Sequence, residues 1–248
     1  MPEMSLEIAV RRAPRAIARL RRAARGVLSD GPVLSSMAAA IALVVAIEST
    51  PGIDHDTTSM GLTAAMILMG ASLPAGLILR ERERRRRCRP FPRPLSEALV
   101  AATAAVSFAA CSLFGALVLI VKSAWILVMP LAVGVAMLAA AFATALGLLL
   151  GVATPHRRAL ARSSLLVFVV LLAPIPMCCG DNLQEPVAAA LSLLPTVAIA
   201  RVIRVALVGG VAASRVAGDL TVVAAATLLL ALAVRHRVAR DRQRGFLL

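Results

Sequence analysis

The residues best equipped for chemistry in this chain are charged, and they come in runs. Arg80-Glu81-Arg82-Glu83 alternates cation and anion, Arg84 to Arg87 extend it, and Pro94-Leu95-Ser96 closes the stretch. Such a pattern suits ion pairing. If the stretch is helical, Glu81 reaches Arg84 and Arg85, and Glu83 reaches Arg86 and Arg87; otherwise the charges can meet those of a partner. Asp54-His55-Asp56 has the residue types of a metal site, but three adjacent residues converge poorly on one ion, so the triplet reads as loop. Cys178-Cys179 reads as a pair of small apolar residues rather than a strained vicinal disulfide. None of the four cysteines has metal-ligand spacing. Asp219 borders an apolar run, where an acid is a functional candidate by default, and Arg215 is placed to pair with it at four residues' separation. No Ser/His/Asp or paired-carboxylate constellation stands out, so neither catalysis nor a metal centre is expected on this chain.

The elements that hold these residues are apolar. The chain has 248 residues, 60% of them hydrophobic, with a mean hydropathy of +0.87; soluble domains average nearer 45–50% apolar. Only 3% is aromatic, leaving mostly Ala, Leu and Val in long uncharged runs, the mark of membrane helices. The expected class is an all-α integral membrane protein of six transmembrane helices. The runs are 31–47, 57–79, 98–121, 124–153, 163–180 and 220–234, the fourth carrying Pro130 near its start. No cleavable leader is expected, because the first long apolar run follows a basic segment.

Net charge is +14, carried by 26 Arg and Lys122. Seven Arg fall in 1–32, eight in 80–97, three in 155–162 and five in 235–248, together 23 of the 27 basic residues. With six spans all four segments share one side, and basic flanks stay cytoplasmic. Both termini are therefore expected inside. Topology accounts for the Arg runs, so no nucleic-acid partner is expected. A seventh span near 187–209 would bring Arg201 and Arg204 to membrane depth, at about 2.5–3.5 kcal/mol each. Residues 186–214 are instead expected to dip into, or lie along, the outer face. Residues 1–32 form a basic segment with an apolar side at Val10, Ile17, Leu20, Val27 and Leu28, expected as an interfacial amphipathic helix among membrane lipids. Residues 236–248 form a basic cytoplasmic tail.

Residues 33–235 resemble the ABC-2 type transporter permeases, the membrane subunits of one class of ATP-driven exporters. In that family an E-R-E-x-G-T signature ends the second span, and a P-x-S element opens the third, thirteen residues after the first Glu. Here Glu81-Arg82-Glu83 and Pro94-Leu95-Ser96 keep that frame, with Arg85 and Arg86 where the family has Gly-Thr. "AFATALGLLLGVATPHRRALARSSLLVFVVLLAPIPM" is similar to its fourth span, inner loop and fifth span. "LSLLPTVAIARVIR" is similar to its outer re-entrant region, with Pro195 ahead of Arg201 and Arg204 and with Asp219 following. The resemblance implies a pathway between two permease subunits, identical or sister chains, in the cell membrane. It further implies a cytoplasmic ATPase contacting Arg80, Glu81, Arg82, Glu83, Pro94 and Ser96. These 248 residues hold no G-x-x-x-x-G-K-[ST], so ATP and Mg are expected on that partner. Sparse aromatics suggest an apolar or amphiphilic cargo: a drug, antibiotic or lipid-like molecule. The rival readings are an ion-coupled secondary transporter and a non-transporting anchor or regulatory subunit.

Overall fold

The computed structural model describes residues 31–49, 54–88, 97–122, 129–178, 190–208 and 213–245. These residues form helices, with no strand among them: α1 (Gly31–Ser49), α2 (His55–Cys88), α3 (Glu97–Lys122), α4 (Met129–Ala153), α5 (Arg157–Leu172), the single turn α6 (Pro174–Cys178), α7 (Pro195–Val208) and α8 (Ala213–Gly245). Among the described residues five helical segments, α2, α3, α4, α5 continued through α6 to Pro176, and α8, are long and apolar enough to cross a membrane. The chain is thus read as a multi-pass membrane protein. The sixth expected span, α1, is a 19-residue helix, near the lower limit for crossing.

The helices overrun the apolar segments that announced them. α2 holds 34 residues, about 51 Å at 1.5 Å per residue, against roughly 30 Å of hydrocarbon. Its surplus is Arg80 to Cys88. Arg is a good helix former, so charge marks the edge of the apolar slab without ending the helix. The same holds for α5, which begins at Arg157, so that Arg158 and Arg162 sit on a helix rather than in the expected inner loop. It holds again for α8, which carries the basic tail to Gly245. Of the expected amphipathic segment 1–32, residues 1–30 lie outside the described residues, and Gly31 and Pro32 open α1.

The core is the α2–α4 seam: 78% of the apolar stretch of α2 and 67% of that of α4 is buried, against 6% for α5 and for α8. Small residues allow the approach. A Cβ on Gly147 would collide with the carbonyl oxygen of Ala71 and stand 2.6 Å from both Ala71 Cα and Pro74 Cγ. One turn on, a Cβ on Gly151 would stand 2.9 Å from Ala75 Cα. Gly70 faces Ala143 and the buried Cys111 of α3 in the same way. In hydrocarbon, where lipid tails are as apolar as Leu, helices associate through such close backbone packing. Pro74 withholds one donor from α2, and its ring fills the space over Gly147. Among the described residues, Ser107 Oγ on α3 and Thr144 Oγ1 on α4 are buried with no hydrogen-bond partner.

Contacts give every helix a direction. Arg82 of α2 reaches the end of α4, and Glu83 reaches the start of α5. Val234 and Val238 of α8 pack with Ile78, Val100 and Val152. One end of the bundle therefore gathers Arg82, the α4–α5 connection and the last turns of α8. The opposite end holds the start of α2, α6, α7 and the first turns of α8.

Candidate functional site

At the first end, the C-terminus of α4 leaves its last carbonyls without intrahelical donors, at the negative pole of the helix. The guanidinium of Arg82 covers them. Its Nη1 donates to the carbonyls of Gly151 (3.2 Å) and Thr154 (2.9 Å), and its Nη2 to that of Val152 (3.1 Å). Thr154 completes the cap by donating its Oγ1 to the Leu150 carbonyl at 2.7 Å. The planar fork of Arg suits several acceptors at once, as a Lys ammonium would not.

The next residue ties a different helix. Arg157 Nε donates to both carboxylate oxygens of Glu83, at 2.9 and 3.2 Å. Both side chains are substantially exposed. Glu83 therefore holds α5 through a pair across helices, while the side chains of Arg86 and Arg87, its anticipated partners, lie outside the described residues. Arg80 and Glu81 lie on the same extension of α2, half-buried. Pro94 and Ser96 lie outside the described residues.

At the opposite end, the acids and bases of 54–56 and 201–219 meet. Asp54 caps α2: its Oδ1 accepts from the Thr57 backbone N–H at 3.0 Å. Hydrogen bonding from the Thr57 side chain, and then from its backbone N–H, holds the carboxyl below the ordinary value of 3.8. The triplet expected as loop thus opens a helix, with Asp56 in its first turn. No group of three metal-ligating side chains occurs among the described residues. Asp56 forms an ion pair with Arg204 Nε of α7. Asp219 of α8 pairs with Arg201 Nη1 at 3.9 Å, where Arg215 was the anticipated partner. Arg215 and Asp219 share a helix, but the second helix brought Arg201 to the acid.

α7 is the region expected to be re-entrant. It has 14 residues, about 21 Å and too short to cross. Pro195 opens it, where a missing N–H costs nothing. Both of its ends sit at one end of the bundle: Thr196 Oγ1 donates to the Leu171 carbonyl at 2.6 Å, and Arg204 meets the start of α2. Between them Ala198, Ile199, Val202 and Ile203 are buried in the core with Ala132, Val135 and Ala136 of α4. Of the Cys178–Cys179 pair, Cys179 lies outside the described residues.

The small-residue seam went unread in the sequence, although Ala143, Gly147 and Gly151 at four-residue spacing carried the signal. Arg82 as a helix cap had no such signal, because its acceptors lie some seventy residues on. Compared with known proteins, the chain matches no family model, no curated protein and no solved structure.

Proposed function

We propose that this chain is the permease subunit of an ABC-2 type exporter, moving an apolar or amphiphilic cargo out of the cell with a separate ATPase subunit. The observation that carries the reading is the position of Arg80-Glu81-Arg82-Glu83. The motif lies on the helical extension of α2, at the end of the bundle where Arg157, Arg158, Arg162 and the last turns of α8 also gather. By the positive-inside rule that end faces the cytoplasm, both termini lie inside, and α1 is the sixth span. A cytoplasmic ATPase carrying ATP and Mg would meet this face, and a second permease copy or sister chain would complete the pathway. α7, seated at the other end, is the re-entrant element next to the exit.

The test is reconstitution. Vesicles holding this chain and a P-loop ATPase copurified with it should export amphiphilic dye on ATP addition, and vesicles holding either alone should not. Efflux that needs no ATPase would overturn the reading. Topology is checked separately: a thiol at position 55 should label from outside intact cells, and one at position 242 should not.

A second reading, ion-coupled secondary transport, rests on the partly exposed Arg201–Asp219 pair, an acid at the border of an apolar helix. A proton gradient driving uptake in vesicles that hold this chain alone, lost in Asp219→Asn, is the result it requires.

A further inference from the structure

α5 stands off from the seam, and the space beneath it is a groove of about 320 Å³. Ala71, Ala75 and Leu79 of α2 form one wall, and Leu160, Ala161 and Phe168 of α5 the other. Its two hydroxyls are turned to their own helices: Ser72 Oγ donates to the Met69 carbonyl at 3.3 Å, and Ser164 Oγ to the Ala161 carbonyl at 3.1 Å. The groove is therefore apolar along its length and charged at one end, where Arg157 lines it. Arg158 and Arg162, both exposed, stand outside the lining of the groove, each about 100° further round α5 than Arg157 and Ala161, and flank its mouth. Glu83 is the acid facing Arg157, so the mouth keeps an excess of positive charge.

The dimensions match one leaflet. From Arg157 to Phe168 the groove follows α5 for about 16 Å at 1.5 Å per residue, roughly half of a hydrocarbon core near 30 Å. A chain entering at the basic end would thus stop near the midplane. A polar cargo would leave its hydrogen-bonding groups unmatched against these walls.

We propose that this groove is a binding site for an anionic phospholipid, its acyl chain between α2 and α5 and its phosphate among Arg157, Arg158 and Arg162. Long Arg side chains one or two turns below the helix start reach the headgroup level readily. The site needs only that α2, α4 and α5 lie in a bilayer. It is independent of the export reading, and its test involves no nucleotide or transport.

The full chain, reconstituted in equimolar phosphatidylglycerol and phosphatidylcholine and released in mild detergent, is weighed by native mass spectrometry. Phosphatidylglycerol should be retained in preference, one molecule per chain. Arg158→Ala with Arg162→Ala should weaken retention about 25-fold, each Arg near a membrane surface being worth about fivefold. Ala161→Trp leaves every charge in place but fills the groove, and it should reduce retention at least about tenfold by removing the space for the chain. If that variant fails to fold, Ser164→Leu fills the same groove from the next turn. Soluble glycerol phosphate should not displace the lipid. Equal retention of the two lipids, undiminished retention in the filled groove, or displacement by glycerol phosphate would each overturn the proposal.

Discussion

α4 and α5 are consecutive helices joined by three residues, yet α2 treats them differently. Against α4 it packs backbone to backbone, with Ala71 and Ala75 seated on Gly147 and Gly151. Against α5, which has no buried residue, it leaves a groove and the exposed Glu83–Arg157 ion pair. Adjacent residues of α2 serve the two contacts: Arg82 binds main-chain carbonyls of α4, and Glu83 binds a side chain of α5. Apolarity does not separate the helices, since α4, and α5 continued through α6, are each long and apolar enough to cross a membrane. Residue size does. Where every third or fourth residue is Gly or Ala the helices close, and where Leu160 and Phe168 intervene they stand apart.

The comparison breaks most sharply at Gly147. Gly147→Ala should place a methyl inside the Ala71 backbone and force the seam open, an overpacking cost of about 1–3 kcal/mol or more. Gly134→Ala meets nothing within 4 Å and should leave stability unchanged or slightly raised. Thermal unfolding of the two variants in detergent measures the contrast, and equal melting temperatures would refute close packing as the basis of the seam.

Arg82→Ala should cost about 1.5–3 kcal/mol, the range for a bond to a charged group, and Arg82→Lys should recover only part of it. Removing Glu83 or Arg157 should cost about 0.2–1 kcal/mol, as exposed pairs do. A double-mutant cycle between Glu83→Gln and Arg157→Gln reads that value. A coupling as large as the Arg82 effect would mean that α5 is fastened as firmly as α4. Thr144→Val, removing a buried hydroxyl without a partner, should be neutral or stabilising.

The smallest effect is electrostatic. Because Asp54 is held below its ordinary value, its contribution is complete above about 3.8 and fades as pH falls through its lower folded value. Acid unfolding of Asp54→Ala should therefore be shallower than that of the parent chain below pH 4.

Much of the architecture was legible because charge is excluded from hydrocarbon, so uncharged runs reported helices directly. The run 98–121 became Glu97–Lys122, and 31–47 became Gly31–Ser49. Helix ends were less legible, since Arg80 to Cys88 is as compatible with helix in water as with loop. Partner choice was least legible. Asp219 could satisfy a cation on its own helix, and nothing in the sequence revealed that α7 would deliver Arg201 instead. Glu83 was equally open, with Arg86 and Arg87 nearer in sequence than Arg157.

The two ion pairs of α7 also bear on the order in which the protein is made. Arg204 answers an acid on a helix synthesised long before it, and Arg201 answers one synthesised just after it. While α7 leaves the ribosome, Asp56 is already in place and Asp219 does not yet exist. Until α8 arrives, α7 has Asp56, Leu171 and its apolar contacts with α4 to hold it, and the Arg201 pair is added afterwards. The last helix thus locks an element that precedes it, and a nascent chain cut off before Asp219 should leave residues 195–208 open to protease.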